Sequence, residues 1–322
     1  MFNPVFRRSL LLAALSIATQ GAIAQGYPNR PIQVVITSTP GSASDAITRF
    51  LGVEVTKALG QPLIVISKAS AAGTIGADYV RRAAPDGYTL FLGGNTTMAA
   101  NVYLVKNMTY DPLRDFQPIT QVTINPLVLV VRSGLPVKSV AELIAYGKSH
   151  PGQLNYGIGN SGAKVAASLL QSLGGFTAQE ISFNGASQAM LDLVAGRLDF
   201  MITDPLVADA FIRQGVIRAL AVTSSVRLPS MDTLPTMEEA GLKGYDYSSW
   251  VGYYVPRATP KDVVDKLNVA FRKAIESDAG QAYFRERGMI AKASTPQGLE
   301  DFNREQIASW GRWVKQAGLE AQ

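Results

Sequence analysis

A chain of 322 residues with 47% hydrophobic side chains can build two domains on cores of their own. Its 30 basic and 25 acidic residues leave a net charge of +5, too mild for a nucleic-acid binder, and no basic run with interleaved aromatics appears. With no cysteine, thiol catalysis, disulfide staples and Cys-ligated metals are excluded; His150 is the single histidine, and neither a metal site nor a cofactor is expected.

Arg7 and Arg8 precede a short apolar stretch, Leu10 to Ile17, and the small-residue site Ala22-Ile23-Ala24. This pattern predicts a secretory signal peptide over residues 1–24, with the twin arginines also allowing a twin-arginine route. Removing 24 of 322 residues leaves 298, with 28 basic against 25 acidic groups, or +3. No later stretch is long and apolar enough to cross a membrane, so a soluble exported protein is expected.

The apolar run Ile32 to Ile36 reads as a buried strand. It leads through Thr39, Pro40, Gly41, Ser42, Ala43, Ser44 and Asp45 into a helix with Ile47, Phe50, Leu51, Val55, Ala58 and Leu59 on one face. Ser44 or Asp45 is placed to cap it. Such a strand, tight turn and helix aim free backbone N–H groups, and the positive end of the helix dipole, at one spot. The alternation continues with strands at 63–66, 88–92 and 119–123 and a helix ending near Ala84. It restarts with strands at 127–131, 154–156, 180–183, 198–203 and 217–223, separated by helices at 140–148, 163–173, 186–195 and 207–213. A Pro-marked segment, 224–244, leads to a strand at 250–255 and helices over 260–277, 280–287 and 296–317.

Repeated βαβ units predict an α/β fold, with two mainly parallel sheets flanked by helices and a ligand cleft between them. The domains are expected at 25–124 plus 225–322 and at 125–224. In such sheets ligands sit at the carboxyl ends of strands. The small polar loops fall there, at 39–45, 70–76, 93–97, 157–164, 184–187 and 203–205.

Gly157, Gly159 and Gly162 spell the dinucleotide fingerprint G-x-G-x-x-G, but no acidic residue ends the next strand to hold a ribose. An anion seat at a helix N-terminus fits better. Ser161 and Lys164 match S-x-x-K, which keeps an exported serine hydrolase as the alternative function, although neither S-D-N nor K-T-G accompanies the pair. Otherwise Lys164 offers a cation to an anionic ligand, and in particular to a second carboxylate, or simply points to solvent. His150 sits in a turn and reads as a surface residue. Tyr245, Tyr247, Trp250, Tyr253 and Tyr254 read as core or hinge packing. Asp204, at a strand end, either receives a ligand ammonium or caps the following helix.

The chain also resembles a family, the extracytoplasmic solute receptors of tripartite tricarboxylate transporters, or Bug receptors. Carrying the resemblance are Tyr27-Pro28-Asn29-Arg30-Pro31, Pro40-Gly41 with Asp45, Gly73-Thr74-Ile75-Gly76 and Ala84-Pro85-Asp86-Gly87-Tyr88. Tyr110-Asp111-Pro112, Pro151-Gly152-Gln153-Leu154-Asn155-Tyr156, Leu234-Pro235-Thr236 and Trp250-Val251-Gly252 extend it over almost the whole chain. The resemblance implies a monomeric, type II-like periplasmic binding protein, not an enzyme. It would close on a small carboxylate, deliver it to membrane permease subunits, and grip it through backbone N–H groups of the first loop. The ligand-binding residues expected are Thr39, Gly41, Ser42, Ala43, Ser44, Asp45, Gly73, Asn95 and Thr96 from one domain. Gly159, Asn160, Ser161, Gly162, Lys164, Asn184 and Asp204 are expected from the other. Ser42-Ala43-Ser44 stands where relatives carry more glycine, and Lys164 stands near the place of a family histidine.

Overall fold

The computed structural model describes residues 26–316 apart from 71, 160 and 184, together with 320 and 321. The expected signal peptide, Asn160, Asn184 and the Ser161 side chain lie outside the described residues.

The first half of the chain forms β1 (Ile32–Ile36), α1 (Ala43–Leu59), β2 (Leu63–Ser67), α2 (Thr74–Arg81) and β3 (Thr89–Gly94). A π-helical turn over Thr96–Ala100 runs into the short α3 (Asn101–Leu104), and β4 (Phe116–Pro126) follows. Next come β5 (Val128–Arg132), α4 (Val140–Ser149), β6 (Asn155–Ile158), α5 (Ser161–Gly174) and β7 (Gln179–Ser182). Then α6 (Ala186–Val194), β8 (Phe200–Thr203), α7 (Pro205–Arg213) and β9 (Ile217–Val222) complete that half. The chain ends with β10 (Ser248–Pro256), α8 (Lys261–Glu276), α9 (Asp278–Arg285), β11 (Ile290–Ala291) and α10 (Pro296–Gln316).

One sheet has the order β11-β4-β10-β3-β1-β2 and the other β7-β6-β8-β5-β9. Parallel pairing is confined to β1–β2, β1–β3, β6–β7 and β6–β8, so the sheets are mixed rather than mainly parallel. The reason lies in the connections. β4 passes straight into β5 across Leu127 with no crossover helix, and β10 returns to the first sheet antiparallel to both β3 and β4.

On α1 the stripe Ile47, Leu51 and Val55 is buried, Phe50 and Leu59 are half-buried, and Ala58 is exposed, beyond the edge of the stripe. Ser42 caps this helix, instead of Ser44 or Asp45, its hydroxyl accepting from Asp45 N. The polar loop expected at 93–97 is instead the end of β3 followed by the π-helical turn. Distant partners hold it there: the Tyr110 hydroxyl donates to Thr97 O at 2.7 Å, and Asn101 Nδ2 donates to Ala72 O at 2.8 Å.

The chain passes between the sheets at Leu127 and again over 223–247, and the two crossings lie side by side. Leu127 N donates to Thr223 Oγ1, Thr223 N to Leu127 O and Tyr247 N to Thr223 O. The stretch 235–237 runs beside β9, with Val222 N bonded to Pro235 O and Met237 N to Val222 O, while Met231 and Leu234 pack on the second sheet. Tyr245, Tyr247, Trp250, Tyr253 and Tyr254 are all buried, as core packing requires, with Tyr247 against Trp310 and Trp313 of α10.

Candidate functional site

The carboxyl ends of β1, β3 and β4, the N-terminus of α1 and the start of β10 surround a cavity of 290 Å³. Among its walls are Thr37, Ala43 and Ser44 from the first loop and helix, Gly94 to Thr97, Asn125, and Ser249 to Val251. No charged side chain lines it among the described residues.

Any attraction of this cavity for an anion therefore comes from the backbone. The first N–H groups of an α-helix have no intrahelical acceptor. Here Ser42 N is spent on Thr39 O at 3.2 Å, and Asp45 N reaches the Ser42 hydroxyl at 3.4 Å. Ala43 and Ser44, the next two residues of this first turn, have no intrahelical acceptor for theirs, and both residues line the cavity. The helix dipole adds to the attraction, and its effect is strongest in this first turn.

The loop that presents these groups is braced from inside. Gly41 sits at φ +81°, a left-handed conformation that side chains with a β-carbon rarely adopt. Its N–H donates to Asp45 Oδ2 at 2.8 Å, while Arg49 Nε stands 2.8 Å from Asp45 Oδ1. Ser42 Oγ lies 2.7 Å from Ser38 Oγ. Asp45 and Ser42, expected as ligand contacts, are thus occupied in shaping the loop. Thr39 is exposed and supplies the turn carbonyl. Gly73 caps α2 and packs on Thr37 and Thr97 instead of opening onto the cavity.

Asn95 and Thr96 line the cavity. Asn95 is 8% exposed; its Nδ2 donates to Ser248 O at 3.2 Å, and its side chain also meets the Tyr247 hydroxyl. Asn125, Ser249 and Met289 were not legible as cavity residues, because each lies in a stretch that reads as ordinary strand or helix end and only the sheet order brings them together.

The second sheet contributes differently. A β-carbon on Gly159 would lie 2.2 Å from Ala186 N, so this glycine serves the close approach of the loop after β6 to the start of α6. Gly162 is half-buried in the first turn of α5. Lys164 Nζ is 2.9 Å from Glu180 Oε1 on β7, and Glu180 also accepts from the Tyr156 hydroxyl at 3.0 Å. Its charge is therefore matched within the protein, away from a second ligand carboxylate and from an S-x-x-K base role. His150 stacks on Tyr146 in its turn.

Asp204 stands before α7 without a side-chain bond to it. Its side chain reaches solvent, yet the protein around it partly desolvates the carboxyl and holds it above the ordinary range. Burial raises the Tyr247 hydroxyl strongly, Asn95 opposes this through a hydrogen bond, and the Asp204 charge adds to the rise. The Asp204 charge is thus felt at Tyr247, which Asn95 meets. Pro205, the next residue, lies 3.2 Å from the β-carbon position of Gly288, one residue before Met289 of the cavity.

The family model for the tripartite tricarboxylate transporter family receptor matches residues 47–319. The chain is 32% identical over 318 residues to Protein BugT of Bordetella pertussis, spanning 97% of this chain and 98% of that one. It is similar to the solved structure of R. palustris Rpa4515 with adipate, at 31% identity and a TM-score of 0.76, covering 92% of this chain and 100% of that one. It is likewise similar to MatC (Rpa3494) from Rhodopseudomonas palustris with bound malate, at 31% identity and a TM-score of 0.71, covering 89% of this chain and 100% of that one.

Proposed function

The chain belongs to the receptor family of the tripartite tricarboxylate transporters, and from that premise we propose that it captures a small carboxylate in the periplasm, closes on it and delivers it to membrane permease subunits. The observation that carries this reading is the cavity at the N-terminus of α1, walled by the first-turn residues Ala43 and Ser44 and, among the described residues, by no charged side chain. Relatives solved with adipate and with malate support a carboxylate as its occupant. The two lobes of this reading are 26–126 with 248–316, and 127–247, the second including the stretch that runs beside β9. The adjacent crossings at Leu127 and Thr223 form the hinge, and ligand selects the closed form.

Titration calorimetry with succinate, malate and adipate, each beside its diamide, tests the reading. The acids should bind and the diamides should not, and mass spectrometry should recover the ligand unchanged. Failure of every acid, or conversion of one, would overturn it.

A further inference from the structure

Gly288 and Pro205 bring the two lobes together where neither side can yield. Gly288 of the first lobe is buried, and a β-carbon placed on it would lie 3.2 Å from Pro205 Cβ, 3.5 Å from Pro205 Cγ and 4.0 Å from Leu206 Cγ of the second lobe. The turn that carries Gly288 is pinned. Gly288 N donates to Arg285 O and Met289 N to Phe284 O, and Phe284 is fully buried in the core of the first lobe. The next strand, β11, is bonded to β4, with Ile290 opposite Ile124. The facing side is pinned as well. Pro205 is buried at the start of α7, and its ring has no free rotamer with which to turn away. The strand before it, β8, is the middle one of the second sheet.

Placement gives this contact leverage. Ile124, opposite Ile290, lies just before the crossing at Leu127, and Met289, next to Gly288, lines the cavity. The contact therefore stands close to the hinge and on its cleft side, where a small displacement grows toward the mouth. We propose that the contact of Gly288 with Pro205 is the stop that sets how far the lobes close, with Gly288 as its positioning residue. Without a β-carbon at 288 the lobes meet backbone against ring. A side chain there holds them apart and shifts the population toward the open form, and a ligand that selects the closed form then binds more weakly in proportion. The inference rests on the closure reading above and adds the point at which closure ends.

The mature chain has no cysteine, so Leu191→Cys on α6 and Val269→Cys on α8, both exposed, can carry a pair of spin labels, one on each lobe. Double electron–electron resonance then reads the separation of the lobes with and without succinate, malate or adipate. Gly288→Asn is the wedge, because asparagine tolerates the left-handed backbone that Gly288 holds at φ +65°. The wedge should lengthen the label distance and weaken whichever acid binds the parent protein by about fivefold or more. Adding Pro205→Gly should recover most of both changes, since it removes the two atoms nearest the wedge. Should Gly288→Asn lack a cooperative melt, Leu206→Trp takes its place. It adds bulk to the same contact from an exposed residue, without strain in the 285–289 turn, and should lengthen the distance in the same way. An unchanged label distance in a folded wedge variant would overturn the stop. Changes that persist when Pro205→Gly is added would place their cause in the turn and overturn it too. A parent distance that stays constant while an acid binds would refute closure itself, and the stop with it. If no acid binds, the carboxylate reading falls, and the label distances of the wedge and of its Pro205→Gly partner decide the stop alone.

Discussion

Ser42 and Asp45 carry out work at the first loop that the chain's small residues cannot. Ser42→Ala removes the cap of α1 and should cost about 0.5–2 kcal/mol of stability, read from urea unfolding. Its effect on ligand affinity should be small, because the groups offered to the cavity are backbone. Gly41→Val forces a β-branched residue to φ +81° and should cost about 1–3 kcal/mol, with a loss of affinity as the loop reshapes. If Ser42→Ala abolished binding while Gly41→Val left it intact, a backbone-held ligand would be ruled out. Asp204 makes a prediction of opposite sign. Its carboxyl titrates above the ordinary range because it is partly desolvated, so the ionised form costs the folded state stability above that raised value. Asp204→Asn should raise the urea midpoint at pH 7.5. The gain should fade as the pH falls through the raised value and vanish below the ordinary carboxylate pKa of about 3.9. An equal gain at both ends of this range would locate the effect elsewhere.

Among the elements, the βαβ units were legible because their apolar runs and three-to-four spacings are local properties. Ile32 to Ile36 reads as a buried strand in the sequence and is one in the fold. The π-helical turn was not legible. Thr96 to Ala100 carries no helical stripe, and what holds the turn is Tyr110 and Asn101, which a local pattern does not include. α5 teaches the same lesson about a side chain. Lys164 lies in its first turn, where an anion would be welcome, but β7 brings Glu180 to it, and a cross-element pairing is invisible to spacing. Lys164→Met should therefore change stability by only about 0–1 kcal/mol, as surface pairs do, and leave carboxylate affinity unchanged. A selective loss of dicarboxylate binding in that variant would return the lysine to the ligand.

At the scale of the molecule, the sequence predicts two sheets but not the direction of their long strands. β10 runs antiparallel to β3 and β4, and β5 antiparallel to β8 and β9, because these strands carry the chain between sheets without a crossover helix, and an apolar run reads the same in either direction. The cavity was half legible for the same reason: Ala43, Ser44, Asn95 and Thr96 lie at loops after strands, whereas Asn125 and Ser249 arrive through sheet order. If the side-by-side crossings act as a hinge, small-angle scattering should show a smaller radius of gyration at ligand saturation than without ligand. An open unliganded form that keeps its radius at saturation would refute closure.

The second sheet is drawn entirely from one continuous stretch set between β4 and β10, and its entry and exit are adjacent at Leu127 and Thr223. This gives the protein a mechanical order. Tension applied through residues near 26 and 316 loads the first sheet and α10 and bypasses the inserted sheet, whose two ends are tied together. Pulled in an optical trap, the molecule should yield first at α10 and the first sheet, and only then should a separate extension release the insert. Handles moved to the two sides of the seam, at Leu127 and Thr223, should reverse that order.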